Sequence, residues 1–464
     1  MNNLTANILR NCDKYEGNIA LRYFENDEIV DRTYGELKKD ILSAVAIIKD
    51  IKEERIAIIG MTSYQWICVA YASIFCGKHL IMPDATLSIS DLKTLMNTTD
   101  VEYVILTDER EELEAEFIKE RPTVHIFMED IYSKELVDEQ KLDNKVGDVI
   151  CFTSGTSKLA KGVVLGYDTI EVGNETALKT MPATVGDRIF IPTPTYHIMG
   201  FMITFTTLSK GMTACFARGV KTVRKDIKLL EPKLLVMVPS ILEFLLNTNG
   251  ITSSVEKVIV GGGVLRKEIY DKGCQKGIKV YNGYGLSELC GHVAVSMDAS
   301  SVDKLKICEG VNVIITDEGE ISIKYAGMMK GYYNNEEATN EVIRDGIFYT
   351  GDLGYVDEEN NLIITGRKKD IIVMDNGEKV NCLEVDGMLN DIEGVREAAI
   401  AYINKELVAI LVADDCYSDS INKIIGEYNK EQPFFRKIAR IVIRQEALPR
   451  TASGKLMRRK LEED

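Results

Sequence analysis

Short β-branched runs ending in glycine or a polar turn recur along the first two thirds of the chain. They stand at residues 55–60 (RIAIIG), 148–155 (DVICFTSG), 233–240 (KLLVMVPS), 257–263 (KVIVGGG) and 278–285 (IKVYNGYG). Stretches of helical period separate them, such as 34–49 and 225–231, so strand and helix alternate. That order predicts an α/β fold with mostly parallel sheets packed with helices. In such sheets ligands bind outside the carboxyl ends of the strands, where these glycine and hydroxyl turns fall. A length of 464 residues exceeds what one core usually supports, so two or more domains are expected.

From about residue 311 the pattern changes. Residues 311–325 (VNVIITDEGEISIKY) hold two alternating runs about a DEGE turn, and 355–366 (YVDEENNLIITG) repeat the arrangement, as antiparallel hairpins do. A third hairpin is expected at 371–380 (IIVMDNGEKV), turning at Asn376-Gly377. Beyond it a helical segment at 383–391 and strands near 398–403 and 407–412 predict a small α+β unit. The expected division is a large N-terminal domain, 1–367, with a β-rich subdomain, and a small mobile C-terminal domain, 368–464, joined by a hinge of few residues.

A formal charge of −16 argues against nucleic acid as a main partner, because phosphate backbones demand clustered lysine and arginine. Any anionic substrate must meet locally placed cations or a metal. The ten cysteines are scattered singly with no CxxC pair, which suits reduced thiols better than a disulfide framework. Four dispersed histidines disfavour a clustered metal-imidazole site. The start shows no basic segment followed by an apolar core, and the longest apolar helix candidate, 66–76, is too short for a bilayer. A soluble cytoplasmic protein without stable membrane insertion is expected.

Residues 153–162 (TSGTSKLAKG) follow the apolar run 149–152 and form a loop rich in donors, suited to a polyphosphate. Thr153, Ser154, Thr156 and Ser157 offer hydroxyls, Gly155 admits close backbone approach, and Lys161 adds charge. It is not a Walker loop, since Lys161 is followed by Gly162, and an exposed solvated turn is the alternative. Tyr284, in 281–288 (YNGYGLSE), can stack on a base while the glycine turn hydrogen-bonds the base edge; Gly261, Gly262 and Gly263 close the preceding strand. Glu288 can hold Mg²⁺, or can be a favourable charge at a helix start. Asp352, in YTGDLG, and Arg367, in GRKKD, can bind ribose hydroxyls, or can be ordinary turn residues. A second cation-bearing turn, TASGK, ends at Lys455.

The ordered set TSGTSKLAKGVV, PTPTYHIMG, GYGLSE, KGYYNNEEAT, FYTGDLG, GRKKDIIV and PRTASGK resembles the adenylate-forming superfamily, which includes acyl-CoA synthetases, luciferases and peptide-synthetase adenylation domains. Weaker echoes occur at RTYGEL and GKHLIMPD, and the likeness spans nearly the whole chain. It implies an AMP-forming acid–thiol ligase using ATP, Mg²⁺ and CoA. A carboxylate attacks the α-phosphate of ATP, and a thiol then displaces AMP.

The resemblance also implies roles by position. Thr153 to Lys161 hold the β- and γ-phosphates; Gly261 to Gly263 with Asn282, Gly283, Tyr284 and Gly285 form the adenine site; Ser287 touches the α-phosphate. Glu288 and Thr156 hold the metal, Asp352 and Arg367 the ribose. Lys455 bridges carboxylate and α-phosphate, Lys369 is the hinge, and Gly377 lines the thiol channel. Lys158 and Ala160 depart from the usual glycine and proline, and Ser287 from a frequent threonine.

Residues 197–208 (HIMGFMITFTTL) lack the aspartate with which amino-acid-activating relatives pair an ammonium, which favours an acid without an α-amino group. His197 resembles a gating histidine of the acyl pocket, or is a packed buried histidine. Met199, Phe201, Met202, Val260, Leu286 and Val293 are candidate pocket walls. The acceptor is free CoA or, alternatively, the pantetheine of an acyl carrier protein loaded by a stand-alone adenylation enzyme. A nucleotide-binding scaffold without turnover is the third reading, disfavoured by Lys455 and Glu288.

Overall fold

The computed structural model describes residues 3–142, 145–153, 161–296, 301–374, 379–450 and 456–461. A 14-stranded sheet runs from Glu28–Thr33 through Ile19–Glu25, Thr213–Phe216, Arg188–Ile191, Leu234–Met237 and Lys257–Val260 to Lys279–Leu286. It continues through Gly291–Val295, Leu305–Ile307, Asn361–Arg367, Ile347–Val356 and Glu320–Lys324 to Asn312–Ile315, and the fourteenth strand, Ile343–Arg344, pairs with Ile347–Val356 off this path. Neighbours are parallel from Ile19–Glu25 to Lys279–Leu286. Beyond Lys279–Leu286 this path pairs antiparallel throughout. The change of period near residue 311 therefore falls inside one continuous sheet. Lys279–Leu286 is the seam, parallel on one edge and antiparallel on the other.

Burial explains the two halves. Thr213–Phe216 and Leu234–Met237 are buried at every position, as strands covered on both faces must be. Asn312–Ile315 alternates between exposed and half-buried positions, as an antiparallel edge facing water does.

The strands formed from the runs near 55 and 148 belong to a separate 7-stranded sheet, ordered Gly331–Tyr332, Gly162–Gly166, Asp148–Phe152, His79–Met82, Arg55–Ile59, Tyr103–Leu106 and Thr123–His125. Its pairings from Asp148–Phe152 onward are parallel. Asp148–Phe152 and Gly162–Gly166 are antiparallel, with Phe152 opposite Gly162, and residues 154–160 between them lie outside the described residues. Helices Tyr34–Ile48, Tyr64–Phe75 and Ile198–Ser209 supply the large common core. The RTYGEL segment is a capping box: Glu36 N donates to Thr33 Oγ1 at 3.2 Å, and Thr33 N donates to Glu36 Oε2 at 2.7 Å. Among the described residues no helix is long and apolar enough to cross a membrane.

Toward the C-terminus, Val395–Ile403, Glu406–Ala413 and Arg440–Arg444 form a three-stranded sheet packed by Cys382–Asn390 and Ser418–Glu431 around a core of its own. Asn404 (φ 52°) and Lys405 (φ 69°) make the tight turn of its first hairpin. Ile371–Val373 pairs with Lys379–Asn381 as expected, the turn at 376–377 lying outside the described residues. Asp386, buried in Cys382–Asn390, accepts from Ile400 N at 2.7 Å and from Arg458 Nη2 at 2.5 Å. Arg450 bridges to Leu456, and Met457 N donates to Pro449 O at 2.8 Å. The two feet of segment 451–455 are thereby held to each other, and Arg450 Nη2 donates to Glu397 Oε2 of Val395–Ile403 at 2.9 Å.

Two expectations follow. Asp386→Ala strands a buried guanidinium, and chemical denaturation should show a loss of about 3 kcal/mol or more; an unchanged midpoint contradicts the anchoring role. Burial pushes His292, whose Nε2 lies 2.6 Å from Thr180 Oγ1, down from the ordinary 6.5 to about 4. Between those values the unfolded chain binds a proton that the native state refuses, so stability falls as pH drops through that window. His292→Gln should flatten this acid limb in melts at pH 7 and pH 5, and an unaltered slope would refute it.

Candidate active site

The seam strand was expected to end in a glycine turn at 282–285, but it continues to Leu286 and carries Tyr284 within it. Tyr284 is buried, and its hydroxyl donates to Asp352 Oδ2 at 2.7 Å. Burial and the neighbouring Asp352 charge both raise the phenol's pKa, so it stays a donor. The other oxygen of Asp352 accepts from Arg367 Nε at 2.7 Å, and the two residues face each other in register between Ile347–Val356 and Asn361–Arg367. Asp352 thus sits in a long strand, where a turn was expected, with its carboxylate buried. The structure brings the predicted ribose pair together and joins it to the predicted base-binding tyrosine.

After Leu286 the chain makes a three-residue turn, Ser287–Leu289, and reverses at Cys290 (φ 54°) into Gly291–Val295. Only glycine fits at 285, where a Cβ would lie 1.9 Å from Gly291 O. Glu288 therefore begins no full helix. Its carboxylate is half-buried, and Oε1 accepts from Tyr332 OH at 2.8 Å. Among the described residues no cation pairs with it. Across the phenol ring lies Lys161, its Nζ 4.8 Å from the centroid. Thr153 N donates to Lys161 O at 3.2 Å and closes the foot of the loop. An uncompensated carboxylate beside a cation-bearing loop is a hard-oxygen donor of the kind Mg²⁺ takes. Tyr332 escaped the sequence reading, although the KGYY segment that holds it was noticed.

The two glycine segments adjoin. A Cβ on Gly261 would lie 3.5 Å from Gly283 O, and one on Gly262 (φ 76°) 3.6 Å from Val238 Cγ1 and 3.8 Å from Met199 Sδ. Gly263 follows against Pro239. Asn282 is committed to the fold: its N donates to Ser296 Oγ at 2.7 Å and its Nδ2 to Val302 O at 2.8 Å.

His197 precedes helix Ile198–Ser209 half-buried, edge-on to Tyr196 at 4.8 Å, and burial lowers its pKa. Phe201 packs edge-on against Trp66 at 6.5 Å. Phe201, Met202 and Val293 share the large core, with Met199 and Leu286 packed against it. Val260 does not join them, since it packs with Val258, Val280 and Leu265 in a different cluster. Ile259, of opposite parity in the same strand, packs against the core that holds Phe201.

Lys369 is exposed in the short turn Lys368–Asp370, while Lys368 is held by Glu318 at 2.7 Å and Glu320 at 2.8 Å. Asn381 Nδ2 donates to Thr365 O at 2.9 Å across the expected boundary. Ser154, Gly155, Thr156, Ser157, Gly377 and Lys455 lie outside the described residues.

The chain is 26% identical over 454 residues to a 2-succinylbenzoate–CoA ligase of Listeria monocytogenes, covering 95% of each. A long-chain-fatty-acid–CoA ligase of Mycobacterium tuberculosis is 24% identical over 482 residues, which cover 95% of this chain and 94% of the relative. Among solved structures, o-succinylbenzoate CoA synthetase of Bacillus subtilis in complex with the acyl-adenylate intermediate superposes with a TM-score of 0.84 at 22% identity, covering 99% of this chain and 98% of the other. ATP-bound MatB of Rhodopseudomonas palustris gives 0.87 at 19%, covering 100% and 99%. The family model for the AMP-binding enzyme matches residues 8–333, and that for the AMP-binding enzyme C-terminal domain matches 369–464. With the model spanning most of its length, the chain belongs to the AMP-binding enzymes, the adenylate-forming superfamily.

Proposed function

We propose that this protein is an AMP-forming acid–thiol ligase that joins an organic acid to CoA through an acyl-adenylate. One observation carries the reading. Beside the end of one strand, the chain brings together a Tyr284–Asp352–Arg367 cluster, with its phenol and carboxylate buried, and a half-buried carboxylate, Glu288, that shares a phenol with the loop lysine Lys161. These are the groups that a nucleoside triphosphate and its metal require. The CoA ligases among its relatives support the same reading.

In the first step a carboxylate oxygen of the acid bonds to the α-phosphorus, the bond from that phosphorus to the bridging oxygen breaks, and pyrophosphate leaves. In the second, a thiolate sulfur bonds to the acyl carbon and AMP departs with the oxygen it gained. Asp352 and Arg367 hold the ribose, Gly261 to Gly263 and the seam strand the adenine, and Ser287 the α-phosphate. Glu288 with Thr156 holds Mg²⁺, which neutralises phosphate charge when bound. Lys161 and the hydroxyls of 153–157 hold the leaving phosphates.

Lys455 stabilises the charge that builds as the carboxylate arrives. It is carried on a terminal unit, 368–464, that turns about Lys369 between the two steps and lets the thiol approach past Gly377. The acyl pocket is bounded by His197, Phe201, Leu286, Val293 and Ile259, with Met199 and Met202 beside them. The protein acts in the cytoplasm.

Lys455→Ala should abolish acid-dependent exchange of labelled pyrophosphate into ATP, a loss on the order of 10²-fold or more, while transfer from a preformed acyl-adenylate to thiol persists. Equal loss of both half-reactions contradicts the assignment. In an AMP-release screen with and without CoA, aliphatic or aromatic acids should outpace α-amino acids on the order of 10²-fold, because segment 197–208 carries no carboxylate to pair an ammonium group. A preference for amino acids, or release that answers to carrier protein and not to CoA, overturns the substrate and acceptor proposed here.

A further inference from the structure

The segment KGYYNNEEAT, residues 330–339, is built to hold one side chain still. Gly331–Tyr332 is the edge strand of the 7-stranded sheet, with Gly331 opposite Val164 and Tyr332 opposite Val163. Flanking main-chain bonds fix it just past the phosphate loop: Lys330 N donates to Val164 O at 2.9 Å and Tyr333 N to Gly162 O at 2.8 Å. On the other edge Tyr332 N donates to Thr339 Oγ1 at 2.9 Å. Asn335 caps helix Glu336–Val342 by accepting from Ala338 N at 3.0 Å, which sets Thr339 in place. Tyr333 OH and Asn334 Nδ2 reach Asp100 at 3.2 and 2.9 Å.

What is held is a phenol between opposite charges. Tyr332 OH donates to Glu288 Oε1 at 2.8 Å, while Lys161 Nζ stands 4.8 Å from the ring centroid. Glu288 and Lys161 meet the same side chain without forming an ion pair. A lysine and a carboxylate in direct contact would neutralise each other, and each would have to be drawn away before meeting its own ligand. The phenol offers the carboxylate a hydrogen bond and the ammonium an aromatic face. Both partnerships leave the charges themselves uncompensated.

We propose that Tyr332 is a positioning residue that aims Glu288 at the divalent cation and Lys161 at the polyphosphate while keeping the two from pairing. The inference rests on Glu288 being the metal carboxylate proposed above. Phenylalanine at 332 keeps the ring, the packing and both main-chain edges but loses the bond to Glu288, so a purely structural role predicts no change in metal binding.

The test measures binding without acid or turnover. Free Mn²⁺ is followed by electron paramagnetic resonance during titration of the full chain with saturating ATP, and metal-free ATP binding is measured by equilibrium dialysis in chelator. Tyr332→Phe should weaken Mn²⁺ binding roughly five- to twenty-fold and leave metal-free ATP binding unchanged. Tyr332→Leu, which also removes the aromatic face, should weaken both. If Glu288→Gln weakens the Mn²⁺ titration but Tyr332→Phe does not, the positioning role is overturned and the metal assignment stands. If Glu288→Gln leaves the titration unmoved, the metal assignment fails and the inference falls with it.

Discussion

Everything in the candidate site hangs on the change of hydrogen-bonding partner along Lys279–Leu286. On one edge this strand completes a parallel sheet buried beneath helices; on the other it opens the antiparallel half. A parallel strand delivers its carboxyl end to a crevice, and an antiparallel hairpin returns its neighbours to the same place. Asp352 and Arg367 come back from the antiparallel half to meet Tyr284, and Glu288 follows within one turn. The tight reversal works because Gly285 admits Gly291 against its backbone.

The electrostatics follow from that geometry. A chain of net charge −16 repels polyanions as a whole, so phosphate affinity has to be local. Buried Asp352 is already neutralised by Arg367, which allows it to sit away from water without a large penalty. Glu288 is treated differently, since it receives a neutral donor and, among the described residues, no cation. One carboxylate is thus satisfied within the fold and the other is kept available, a division of labour that suits a sugar at one and a cation at the other.

Much of this was legible in the sequence, for identifiable reasons. The helix beginning at Tyr34, the hairpins after residue 311 and the ribbon about 371–381 are local, and their signals lie within a few residues. The joining of the parallel and antiparallel halves into one sheet was not legible, because it depends on pairing between distant strands. Nor was the assignment of 55–59 and 148–152 to a second sheet, since buried parallel strands look alike in sequence. The separation of Ile259 and Val260 into different clusters was hidden too, because a short, fully apolar run does not show its parity. Tyr332 was missed because its partners are distant in the chain, Glu288 44 residues away and Lys161 just ahead of strand Gly162–Gly166.

The central claim is that an acid's own oxygen captures AMP in this cleft. It is tested most directly with a substrate acid carrying ¹⁸O in its carboxylate, turned over with ATP, Mg²⁺ and CoA and examined by mass spectrometry. One labelled oxygen should leave in the AMP released and one should stay in the thioester. Unlabelled AMP, or a nucleotide product that is ADP, would contradict the claim.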